Sequence, residues 1–138
     1  MELNKLLEAE TNLKRALALD SEDAFSLALL GLLKFRQQKP DEAFDALSRS
    51  AQLDPENAQT QNYLGLALAQ KGQREPAEAA FRKAIQIAPG YAVAHYNLAV
   101  YYATQQPPTR ELARWHYQKA VSVGHPKSDE LEKLLARN

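Results

Sequence analysis

The sequence contains no cysteine. Disulfides and thiolate metal sites are therefore excluded, and the redox compartment stays open. An excess of either charge is also lacking, with 17 Lys plus Arg against 17 Asp plus Glu. A balanced chain has no general pull on nucleic acid or anionic lipid, and no basic run exceeds two residues. Long hydrophobic runs are missing too. The longest, Leu27–Leu33, is far too short to cross a bilayer, and no stretch resembles a signal peptide. Neither a nucleic acid nor a membrane is expected as partner. Cytoplasmic is the default compartment, with periplasmic and secreted locations left open.

Catalytic signatures are equally scarce. The 5 glycines are too scattered to cradle a phosphate, and no serine has the G-x-S-x-G setting. The three histidines, His95, His116 and His125, read as polar packing or surface imidazoles rather than metal ligands. Asp41 and Glu42, and Glu75 and Glu78, fall at predicted helix starts, where the helix dipole favours negative charge. Structural placement explains them better than acid–base work does. No catalytic residue, metal site or cofactor is implied, and the chain reads as a non-enzyme.

What is present is a period. The chain has 138 residues, 45% of them apolar, which suits one globular domain. The stretch "NYLGLALAQKGQREPAEAAFRKAIQIAP" begins at Asn62. Shifted by 34 residues toward the N-terminus, Leu64, Gly65, Ala77, Phe81 and Pro89 fall on Leu30, Gly31, Ala43, Leu47 and Pro55. Shifted the other way, Leu64 and Gly65 fall on Leu98 and Ala99. The match then slips by two residues inside "TQQPPTRE", after which Ala113 and Tyr117 align with Ala77 and Phe81. An insertion in such a turn costs little loop entropy. A further shift places Ala43 on Ala9 and Leu47 on Leu13.

Within each unit the apolar residues recur at i, i+3 and i+4, a helical spacing. Strand formers are few and no hairpin dipeptide occurs. The pattern predicts helices over 3–19, 23–37, 41–53, 57–71, 75–87, 91–105, 109–122 and 128–136. Pro40, Pro76 and Pro108 are expected in first turns, where proline costs nothing. The predicted divisions are a half repeat over 1–23, repeats over 24–57, 58–91 and 92–126, and a capping helix over 127–138.

These units resemble tetratricopeptide repeats, whose pattern is W-x2-L-G-x2-Y…A-x3-F…P. The second reads Gln61-x2-Leu64-Gly65-x2-Leu68…Ala77-x3-Phe81…Pro89. The first carries Leu27, Leu30, Gly31, Lys34, Ala43, Leu47 and Pro55; the third carries His95, Leu98, Ala99, Tyr102, Ala113 and Tyr117. The opening Trp is absent throughout, and Lys34 replaces an aromatic. The resemblance implies an all-α fold, a right-handed superhelical array of antiparallel helix pairs. It also implies a concave groove for a partner's peptide or helix. Its expected lining is Phe25, Leu29, Leu32 and Arg36 in the first unit, Asn62, Tyr63 and Leu66 in the second, and Tyr96, Asn97 and Val100 in the third. Tyr63 and Tyr96 are expected as anchors, Asn62 and Asn97 as backbone binders, and Arg36 as the lone charge. Some family members grip chaperone tails with Lys, Arg and Asn. The matching positions here, Ala28, Leu32, Tyr63, Val93 and Asn97, do not fit that role.

The two ends differ. "KSDELEKLLARN" places Leu131, Leu134 and Leu135 on one face, as a cap should. The helix "AFSLALLGLLKF" is apolar almost all round and expects cover. Either more repeats precede it in a longer array, or another chain covers it, which would make a homo-oligomer through the N-terminal end. A self-assembling repeat module and an accessory domain of a larger enzyme are the alternative functions.

Overall fold

The computed structural model describes residues 2–137, and they form eight helices with no strand among them. These are α1 (Glu2–Leu19), α2 (Ala24–Arg36), α3 (Pro40–Leu53), α4 (Ala58–Gln70), α5 (Arg74–Ile87), α6 (Ala92–Thr104), α7 (Arg110–Ser122) and α8 (Asp129–Leu135). Each predicted helix is present, with ends moved by one residue at most.

The helix ends follow from local chemistry. Asp23, Asn57 and Ser128 cap α2, α4 and α8, each side chain accepting a backbone N–H three residues on. Pro40 opens α3 and Pro76 sits in the first turn of α5. Pro108 departs from expectation. It lies before Thr109, the N-cap of α7, and so stands outside the helix. Gly72, at φ +79°, and Gly124, at φ +109°, occupy turns whose left-handed backbone favours glycine.

Helices α2/α3, α4/α5 and α6/α7 form the most closely packed pairs, and each pair leans on the next. The result is a right-handed superhelical array, an α-solenoid. The close crossings depend on small residues. A Cβ on Gly31 would lie 2.3 Å from Leu47 Cγ, and one on Gly65 would lie 2.6 Å from the Phe81 ring. Ala43, Ala77 and Ala113 are fully buried at the equivalent place on the second helix of each pair. Leu131 and Leu135 of α8 are buried against α6 and α7, with Leu134 half-buried beside them. Asn138, the last residue of the expected cap, lies outside the described residues.

Helix α1 is held differently. None of its residues is buried. Its firmest tie is polar: Lys34 Nζ lies 2.7 Å from Glu10 and 3.0 Å from Glu42. Gln37 also donates to Glu10, at 3.1 Å. These donors hold the Glu10 carboxyl down at about 2, the Lys34 bond being the largest cause. Lys34, which replaces the family's aromatic, thus joins α1 to α2 and α3.

Candidate functional site

Helix α2 lies beside α4, and α6 beside α8. Three hollows open against the first helices of the pairs. The first, about 360 Å³, lies between α1 and α2 and is lined by Leu6, Ala9, Asn12, Leu13, Leu29, Leu32, Leu33 and Arg36. The second, about 140 Å³, lies between α4 and α6, with Leu66, Ala69, Asn97, Val100 and Thr104 joined by Arg74, Phe81 and Tyr101. The third, about 180 Å³, lies between α6 and α8, with Tyr96, Val100 and Thr104 facing Ser128, Glu130, Leu131 and Leu134. A larger depression of about 460 Å³ lies elsewhere, at the turn holding Asp54, Glu56 and Asn57 beside Tyr91.

Leu29, Leu32 and Arg36 therefore share the first hollow, Leu66, Asn97 and Val100 the second, and Tyr96 and Val100 the third. Phe25, Asn62 and Tyr63 line none of the three. Phe25 is 66% exposed near the start of α2. Tyr63 is half-buried, and its hydroxyl accepts a hydrogen bond from Gln59 at 2.7 Å. Asn62 is fully buried, and its side-chain oxygen accepts from Asn97 Nδ2 at 2.9 Å. Its own Nδ2 has no protein partner. The two amides thus bond each other across adjacent repeats, which takes the Asn97 amide group into the joint. Tyr96 is also engaged, with its ring stacked on His125 at 4.2 Å between centroids.

Two charged residues line the hollows that inspection of the first helices alone does not find. Arg74, at the start of α5, donates to the Tyr101 carbonyl at 3.1 Å and to Thr104 at 3.3 Å, and lies over the Tyr101 ring. Glu130 comes from α8. The signal for Arg74 was its place just after the Gly72 turn, where a long side chain can reach the end of the next first helix. Glu78 is a further correction. It receives the Tyr102 hydroxyl and pairs with Arg82 at 3.2 Å, so it serves a buried tyrosine rather than a helix dipole. Burial, and next the Glu78 bond, push Tyr102 up to about 12.

His95 and His116 form a buried joint between α6 and α7. His95 Nε2–H donates to the Pro89 carbonyl at 2.8 Å, which leaves Nδ1 to accept from His116 Nδ1–H at 3.1 Å. Burial, aided by neighbouring His95 and Arg82, pushes His116 down to about 4. Trp115, 55% exposed, meets His116 edge-on. Tyr117 is buried, and its hydroxyl accepts the Ser128 backbone N–H at the start of the cap.

Solved structures share this architecture. A crystal structure of MamA is 28% identical with a TM-score of 0.76, the match covering 89% of this chain and 71% of that one. An O-GlcNAc transferase of Thermobaculum terrenum is 26% identical with a TM-score of 0.81, over 85% of this chain and 22% of that chain. The Cut9–Hcn1 hetero-tetramer of APC/C reaches a TM-score of 0.84 over 99% of this chain and 27% of that chain; its 22% identity speaks to fold alone. No curated protein matches by sequence. Among the described residues no helix is long and apolar enough to cross a membrane. A family model described as "Tetratricopeptide repeat" matches residues 1–58 and 28–92. With its repeated small-residue crossings and stacked helix pairs, the chain belongs to the tetratricopeptide repeat family, whose members are scaffolds for protein–protein interaction.

Proposed function

We propose that the face lined by α2, α4 and α6 is a non-catalytic docking groove for a peptide or helical segment of a partner protein. The observation that carries this reading is that two hollows lie side by side on α6, Val100 and Thr104 lining both, with Leu66 and Asn97 on one side and Tyr96 on the other. Apolar walls are interrupted by the bonded pair Arg74 and Thr104, by Asn97, whose amide nitrogen is engaged by Asn62, and by Ser128 and Glu130. Apolar anchors from a partner would supply affinity there, and the polar points would set register. Tyr63 and Phe25 would extend the surface toward the N-terminal end, and His125 covers one face of the Tyr96 ring.

The test compares the wild-type chain with Leu66→Glu and Val100→Glu as baits for proteins of the source cell. The groove reading expects proteins retained by the wild type to be lost from both variants, while circular dichroism shows an intact helical array. Equal retention by wild type and variants would remove the reading. The stretch of O-GlcNAc transferase that this chain resembles, about a fifth of that enzyme, supports a second reading as the accessory repeat array of a larger enzyme. An activity assay of the isolated chain and of its full-length parent separates the two.

A further inference from the structure

Arg74 is the one charged residue among those lining the hollow between α4 and α6. It opens α5 and is itself exposed, yet its side chain crosses to the end of α6. Nη2 makes its hydrogen bonds, to the Tyr101 carbonyl at 3.1 Å and the Thr104 hydroxyl at 3.3 Å. The guanidinium carbon stands 4.8 Å from the centre of the Tyr101 ring. Thr104 is fixed in turn, because its hydroxyl donates to the Val100 carbonyl at 2.7 Å. The planar group is thus held by a carbonyl, a hydroxyl and a ring, and Nε and Nη1 keep donors with no partner among the described residues. No carboxylate among those residues comes within ion-pair distance of it. Glu78, one turn along α5, is already taken by the Tyr102 hydroxyl and Arg82.

We propose that Arg74 selects the occupant of the groove for an acidic side chain: the docked segment sets an internal Asp or Glu against Nε and Nη1, with an apolar neighbour in the hollow of about 140 Å³. This inference rests on the groove reading. The other walls of that hollow carry no charge, so nothing in it complements the guanidinium. A carboxylate there gains a charge-assisted hydrogen bond from a group already in place, and little side-chain freedom is lost in making it. Apolar walls lower the local dielectric and strengthen the attraction. The orientation of the segment follows from the neighbouring hollow. Glu130 lines it, and a second carboxylate there would be repelled. The acidic residue therefore lies on the α4 side of α6, and the stretch without acids on the α8 side. A free chain end needs several converging donors for its carboxylate, whereas one arginine suits a side chain within the segment. Arg74 begins a second helix, so it is distinct from the first-helix positions with which some family members grip chaperone tails.

The probe is a library of phage-displayed random dodecapeptides, fused so that no carboxyl end is free, selected on the wild-type chain. Clones retained by the wild type and lost on Leu66→Glu report the groove. Those clones should share an Asp or Glu at one position. A synthetic peptide of that sequence with the acid replaced by its amide should bind the wild type about fivefold more weakly. Acid and amide forms should bind Arg74→Gln equally, and circular dichroism should show that variant folded. Arg74→Lys, which keeps the charge, should keep the preference for the acid. Selection on Arg74→Glu should return Lys or Arg at the same position. A merely structural tie between α5 and α6 would instead weaken acid and amide peptides alike and leave the preferred charge unreversed, which would overturn the proposal. Groove-dependent clones with no shared acidic position would overturn it while the groove reading stands. So would acid-dependent binding that appears only in peptides with a free carboxyl end. If no clone depends on Leu66, the groove reading fails and this inference falls with it.

Discussion

Gly65 shows how much one missing methyl group can decide. The Phe81 ring occupies the space that a side chain would need, so Gly65→Ala must displace an aromatic that is itself buried. Overpacking of this kind costs about 1–3 kcal/mol, and urea unfolding should show it as a lower midpoint with an unchanged slope. The His95–His116 joint gives a second prediction. His116 is held below its ordinary value, so the unfolded chain takes up a proton first as pH falls from 6.5 toward about 4. Stability is full above that window and declines within it, by about 1–2 kcal/mol at pH 4.5 once partial solvent screening is allowed for. Melting temperatures measured from pH 7 to 4.5 should fall in the wild type and remain flatter in His116→Gln. Repeat register marked position 95 as a packing site, but nothing in the spacing placed a second imidazole against it. That pairing arises only when α7 folds back along α6.

At the scale of elements, the helices were legible because period and punctuation agreed. Apolar residues recur at helical spacing, and Gly72, Pro55 and Pro89 fall between the runs. The contacts between elements were less legible. Asn62 occupies a groove position by register, yet its burial depends on Asn97 crossing from the next repeat. Arg74 was missed as a lining residue because it starts a second helix and reaches across to α6. Lys34 looked like a defect in the pattern and proves to be the bolt that holds α1. Lys34→Met should leave Glu10 without its main partner and loosen α1, at a cost of about 1–2 kcal/mol. Hydrogen exchange should then speed up across residues 2–19 while α4 to α7 keep their protection. Glu10 gives the same tie a pH signature: its contribution is present above pH 4.5 and is lost as pH falls toward about 2.

At the scale of the molecule, contacts among the described residues run between neighbouring or next-but-one helices, with none of substance among them joining distant parts. Stability in such an array is close to a sum of unit and junction terms. A large-to-small change therefore acts locally first. Leu131→Ala, which removes a buried side chain of the cap, should cost about 2–4 kcal/mol and expose the ends of α6 and α7 before it affects α2 and α3. Exchange measured by mass spectrometry would locate that loss. Uniform destabilisation across all helices would show that the array folds as one block.

The serial arrangement of contacts has a mechanical result. Each junction contributes its own small rotation, so the curvature of the inner face is an accumulated property and no single brace sets it. A body wedged into one hollow changes the pitch at that junction and, by leverage, the spacing of chemical groups several turns away. The molecule is thus closer to a coil spring than to a rigid jaw.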